Sequence, residues 1–138
     1  MRYNIFNIYY MNDKLYYYAT KYDLKKILVS NTIMKCEFKS NNKKFIIVND
    51  SKEIIEEYYK PYIDIIIELD RNKLKQKYEI EIDKNYKYII YDDIENIYNY
   101  ILSINFLNES IFDSDISKFI NNIIEKNIKI YVNGKFKF

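Results

Sequence analysis

Two rhythms divide the chain, apolar residues at every second position in some stretches and at every third and fourth in others. Tyr62–Leu69 has the clearest period of two, with Ile63, Ile65, Ile67 and Leu69 on one face and Asp64, Ile66 and Glu68 on the other. That spacing predicts a half-buried strand. Arg2–Tyr10 and Lys14–Ala19 are rich in Tyr and Ile and read as two strands around the polar turn Asn12-Asp13. Thr32–Phe38 and Lys44–Val48 read as strands on either side of Ser40-Asn41-Asn42-Lys43, and Tyr78–Ile82, Tyr86–Ile90 and Ile128–Val132 complete the set. Helical spacing appears after Thr20, where Asp23 follows at the capping-box distance and Leu24, Ile27 and Leu28 share one face. Asp50 with Glu53 predicts a short helix that Pro61 ends. Asp92 with Glu95 predicts another, bearing Ile94, Ile97, Tyr98 and Ile101, and Ile116, Phe119, Ile120, Ile123 and Ile124 predict the last. The expectation is α+β: one domain over residues 1–138, mixed and mostly antiparallel sheets, and about four short helices.

Composition sharpens this by exclusion. With 49% apolar and 30% charged residues, a compact core is attainable and disorder is not expected. The absence of His excludes a Ser-His-Asp triad, a Cys-His pair and every His-based metal site. A single glycine, Gly134, excludes a P-loop and a GxGxxG fingerprint. Cys36 is the lone cysteine, so the chain forms no internal disulfide and no CxxC site, which fits a reducing cytosol. Met1–Tyr10 mixes Asn4 and Asn7 into its apolar residues and does not read as a signal peptide, and no apolar run is long enough to span a bilayer. A cytoplasmic protein is expected. Twenty-seven Ile, 20 Lys, 17 Asn and 17 Tyr dominate the chain. All four have AT-rich codons, so codon pressure accounts for the tyrosines without an aromatic binding surface, and a phage or other mobile element, an AT-rich bacterium or a parasite is the expected source.

Candidate chemistry is sparse. Close carboxylates such as Glu56-Glu57, Glu79/Glu81, Asp92-Asp93 and Asp113/Asp115 can hold Mg²⁺ or divide acid and base roles. Yet Glu79 and Glu81 fall on the outer face of an alternating strand, and Asp92 and Asp113 stand where helix caps are expected, so no metal is expected. Cys36 has no His to activate it and reads as a small buried hydrophobe. Lys and Tyr interleave in Lys14–Lys26 and Lys84–Tyr91, as in single-strand nucleic-acid grooves. Twenty-two basic against 20 acidic residues leave a net charge of +2, too little for a nucleic-acid face.

Three blocks, in order, resemble the ADP-ribosyltransferase family in its small bacterial and phage-type members. Tyr16-Tyr17-Tyr18-Ala19-Thr20, then Asp23–Leu28 and Asn31-Thr32-Ile33, is similar to the family's opening strand and following helix. Ile65–Leu74 is similar to its central strand and turn, and Asn108-Glu109-Ser110-Ile111-Phe112-Asp113 to its acidic catalytic segment. The resemblance covers Lys14 to Val132. It implies NAD as donor substrate and Glu109 as the catalytic acid, which holds the nicotinamide ribose and stabilises the oxocarbenium-like transition state. It places Tyr18 where the family has a NAD-orienting His, and Thr20 at the border of the same pocket. Arg71, in the turn after the central strand, reads as structural. The chain departs from the family with Tyr18 for His, Ala19 for Gly, and Asn108 and Ser110 around Glu109.

Two functions follow as expectations. One is an ADP-ribosyltransferase-like protein of a phage or mobile element that modifies a host protein. The other is a non-enzymatic inhibitor of anti-CRISPR or other anti-defence type that binds a host complex through rigid tyrosine anchors.

Overall fold

A computed structural model describes residues 13–37, 44–50, 63–82 and 88–138. The predicted strand Arg2–Tyr10, the turn at residues 40–43 and the helix between Glu53 and Pro61 lie outside the described residues. The architecture is α+β. Five described strands form the main sheet in the order β1 (Lys14–Ala19), β5 (Ile65–Asp70), β9 (Ile101–Phe106), β10 (Lys129–Val132) and β11 (Lys135–Phe136). Only the β9–β10 pair is parallel. Its crossover carries the short helices α3 (Ser114–Ser117) and α4 (Ile120–Glu125). The second sheet is antiparallel: β3 (Cys36–Glu37), β4 (Lys44–Val48), β7 (Tyr88–Ile90) and β6 (Glu81–Ile82), in that order. A two-residue pair, β2 (Thr32–Ile33) with β8 (Ile94–Glu95), stands apart. β1 touches both larger sheets, because Tyr16 pairs with Glu68 in β5 and also exchanges two backbone hydrogen bonds with Asn49 beyond β4.

The main sheet buries one face. Leu15, Ala19, Ile65, Ile67, Leu69, Ile104, Phe106 and Ile130 are closed to solvent there and belong to one apolar cluster. Helix α1 (Lys21–Ser30) adds Leu24, Ile27 and Leu28 to it. α1 forms where the sequence predicts, and its start is fixed locally. Thr20 Oγ1 accepts from the Asp23 amide at 3.1 Å while Asp23 Oδ2 accepts from the Thr20 amide at 3.1 Å, the reciprocal bonds of a capping box. Asn31 ends the helix in the left-handed region, φ 56.

Three expectations are corrected, and one element is added. The helix predicted from Asp92 and Glu95 does not form. Asn96 turns left-handed at φ 54, and Ile94, Ile97 and Ile101 are buried instead from β8, a 3₁₀ turn over Ile97–Asn99, and β9. Asp93 accepts from the Lys35 amide at 2.8 Å, and Asn31 takes the amides of Ile97 and Tyr98, so tertiary partners satisfy groups that a helix would have bonded internally. A helix absent from the reading, α2 (Arg71–Lys77), begins at Asp70, whose side chain accepts from Lys73 N. The strand predicted over Thr32–Phe38 is two short pieces in different sheets. The last predicted helix is broken into α3 and α4 at Lys118-Phe119.

Candidate functional site

β-Sheet register decides which residues share a face, because directly paired residues project to the same side. Tyr18 pairs with Ile66, Ile66 with Asn105, Asn105 with Tyr131 and Tyr131 with Phe136, making one row across all five strands. The next row on that face runs Tyr16, Glu68, Ser103, Lys129. These rows lie opposite the buried aliphatic face. Over them opens a cavity of about 690 Å³ whose floor and rim include Ile66, Glu68, Ser103, Asn105, Leu107 and Tyr131.

A bulge makes this face polar. Glu68 pairs with Ser103 but Leu69 with Ile101, so one extra residue, Leu102, sits in β9. Without it, Ile101 and Ser103 would project to the same side. With it, Ile101 reaches the core and Ser103 the cavity. Asn105 Nδ2 donates to Ile66 O at 3.4 Å and to Ser103 Oγ at 3.2 Å. The Ile66 carbonyl can only accept, which fixes the amide nitrogen toward it and leaves Oδ1 as an acceptor. Lys14 Nζ stands 3.7 Å from Glu68 Oε1, a partly shielded pair with the Glu68 side chain 18% exposed.

The three residues singled out from the sequence fall at one end of the main sheet, since Ala19 pairs with Ile65 and Ile65 with Phe106. Tyr18 is half-buried in the cavity-face row. Thr20 follows at the α1 N-terminus, where the capping box engages both its hydroxyl and its amide. Glu109 opens an exposed 3₁₀ turn, Glu109–Ile111, two residues past Leu107 of the cavity rim. Its neighbours bond each other, Asn108 Oδ1 accepting from Ser110 N at 2.9 Å and Ser110 Oγ at 2.8 Å. None of the three is among the residues lining the cavity.

Charged pairs strap α1 to the crossover at this end. Asp64 Oδ2 accepts from the Lys21 amide at 2.9 Å, Lys21 Nζ pairs with Asp113, and Lys25 Nζ pairs with Asp115 at 2.9 Å. The Lys21 ammonium, followed by the Ile116 amide, pulls the Asp113 carboxyl from 3.8 to about 2. The Asp113 bond in turn raises Lys21, and Lys25 lowers Asp115. Asp113 caps α3 as expected, through Ile116 N at 3.0 Å. Tyr17, on the core side, has its phenol held well above the ordinary range, first by burial and then by the neighbouring Asp23 carboxylate.

Cys36 corrects the reading of a buried hydrophobe: it is exposed, on the outermost of the described strands of its sheet. Arg71 is buried with its guanidinium carbon 4.6 Å from the Tyr88 ring centre, so it packs at the start of α2 rather than in a turn. Among the described residues no group of three or more Cys, Asp or Glu is placed to hold a metal ion, and no helix is long and apolar enough to cross a membrane.

Sequence reasoning missed Ser103, Asn105 and Tyr131. The alternation that put Ile66 and Glu68 together pointed to this face, but the strand supplying Ser103 and Asn105 was not foreseen. Compared with family models and with curated proteins, the chain matches none.

Proposed function

We propose that the chain is an ADP-ribosyltransferase-like protein that takes NAD as donor and modifies a protein of the cell in which it acts. The observation that carries this reading is the register. Tyr18 pairs with Ile66 of the cavity floor, and Glu109 follows Leu107 of the cavity rim by two residues, so both stand at the same end of the sheet, outside the cavity lining itself. A volume of about 690 Å³ is within the range of small-molecule sites, roughly 300–1,000 Å³. Glu109 in this role accepts hydrogen bonds from the nicotinamide ribose. The bond from ribose C1′ to the nicotinamide nitrogen breaks, and nicotinamide leaves with the electron pair. A nucleophile of the target then forms the new bond to C1′ and gives up its proton. The exposure of Glu109 leaves room for a protein target to approach.

Calorimetry with NAD tests this. Saturable binding, weakened by both Glu109→Ala and Tyr18→Ala, is the expected result, with ADP-ribose transfer lost in Glu109→Ala. No binding at millimolar NAD overturns it.

One observation favours the second reading, a non-enzymatic inhibitor of a host complex. The Thr20 hydroxyl and amide are already engaged in the capping box, which leaves that position structural. A host protein that co-purifies in stable complex with the chain, without NAD turnover, is the outcome this reading expects.

A further inference from the structure

We propose that Asn133-Gly134 is a self-modification site: when the β10–β11 hairpin opens, Asn133 converts to aspartate or isoaspartate, and the isoaspartate form cannot close again. Neither functional reading above is needed for this. Of the 17 Asn residues only Asn133 precedes a glycine, the single glycine of the chain. Gly134 leaves its backbone nitrogen uncrowded, and even a Cβ placed there would meet no atom within 4 Å. Both residues are exposed, so water reaches the bonds that react. The chemistry is a ring closure followed by hydrolysis. The Gly134 nitrogen gives up its proton and bonds to Asn133 Cγ. The Cγ–Nδ2 bond breaks, and the side-chain nitrogen takes up that proton and leaves as ammonia. Water then opens the cyclic imide. Cleavage at Cγ gives aspartate. Cleavage at the Asn133 backbone carbonyl gives isoaspartate, whose main chain runs through Cγ and is longer by one carbon.

The closed turn holds the first step back. Asn133 and Gly134 stand at φ 53 and 76 in a two-residue turn closed by the pair Val132 and Lys135. In the left-handed region, a ψ of about +47° turns the next nitrogen to the far side of the Cα–C bond from Cβ, out of reach of Cγ. The Asn133 amide also donates to Phe106 O at 2.9 Å, which holds the residue in place. The closure itself is slight. β11 is the outermost of the described strands of the main sheet and has two residues. An edge-to-face contact between Tyr131 and Phe136, with ring centres 5.8 Å apart, and bonds from Ile130 to Lys137 and Phe138 hold it to β10. Outer segments with so few contacts open at low free energy. Each closure protects Asn133 again, until an added backbone carbon displaces the Val132–Lys135 pairing. The open form then persists. It lifts Phe138 from Phe112, which packs on the buried Phe106, and withdraws Asn133 and Gly134 from the cavity lining.

Peptide mass spectrometry with an isoaspartate assay, on the full chain folded and in denaturant, tests this. Asn133 should react fastest of all Asn residues in denaturant and about ten-fold more slowly in the folded chain. Phe136→Ala, which removes the contact with Tyr131 at an exposed position, should raise the folded rate several-fold and leave the denatured rate unchanged. Hydrogen exchange should find the Ile130 and Lys137 amides unprotected in the isoaspartate chain. Asn133→Asp should keep them protected, because an aspartate of ordinary linkage tolerates the left-handed region. Equal rates folded and denatured, another Asn reacting faster in denaturant, a folded rate unmoved by Phe136→Ala, or protected Ile130 and Lys137 amides in the isoaspartate chain overturns the inference.

Discussion

The two faces of the main sheet are made by the same strands and differ in almost everything else. On one, the cross-strand row Tyr17, Ile67, Ile104, Ile130 and the row Ala19, Ile65, Phe106, Val132 are almost wholly apolar and pack into the core. On the other, Glu68, Ser103, Asn105 and Tyr131 line a cavity. Burial of aliphatic surface, about 25 cal/mol per Å², supplies stability on the first face. The second face holds polar groups that are bonded internally on one side and present the remaining donors and acceptors to the cavity. The difference teaches that in this sheet stability and recognition are separable. They occupy alternate residues of the same strands, and the Leu102 bulge keeps that alternation in phase across β9.

The comparison breaks most visibly on the core face. Ile104→Ala, at the centre of the sheet, should lower unfolding free energy by about 2–5 kcal/mol in urea titration. A loss below about 1 kcal/mol would mean that this face is not the stabilising one. Thr20→Ala, at the end where the faces meet α1, should lose about 1 kcal/mol through the capping box, read in the same titration. Tyr131→Leu on the cavity face should stay within about 0.5 kcal/mol, and a larger loss would show that the cavity face also carries the fold.

The smallest effect concerns the charged strap. The Asp113 carboxyl is depressed in the folded chain from 3.8 to about 2, so its contribution is present above the ordinary value and is lost as pH falls through about 2. Asp113→Asn should therefore be less stable than the parent at neutral pH, with the gap closing over that acid range. Added salt should narrow it as well, because the pair is at the surface. A gap that persists unchanged at the acid end would assign Asp113 a role other than its charge.

The elements that were legible are those whose causes lie within a few residues. The period-two run Tyr62–Leu69, which folds as a strand over Ile65–Asp70, the strand Lys14–Ala19 and the Thr20/Asp23 box each carry their signal locally. The segment from Asp92 to Phe106 shows the opposite. Its buried residues fall three and four apart, which is helical spacing, yet it folds as strand, 3₁₀ turn and bulged strand. A bulge shifts the period of a strand by one residue and so imitates a helix in the sequence. The hairpin β10–β11 did have a local signal, Asn133-Gly134 with φ 53 and 76, the positive pair that a tight two-residue turn requires. The strand it leads to has two residues, too few to show a period.

Of the candidate site, the sequence alone supplied Tyr18 at the end of a strand, Thr20 at a helix start, and the Ile66/Glu68 face. It determined the class, α+β, because alternation and capping act over distances shorter than one element. Only the tertiary structure decided that Asn105 and Ser103 stand beside Glu68, that Arg71 packs on Tyr88, and that Cys36 lies exposed. Those outcomes depend on which strands pair and in what register, and register is set by the joint burial of residues as far apart as Leu15 and Ile130, a quantity no local window of sequence contains.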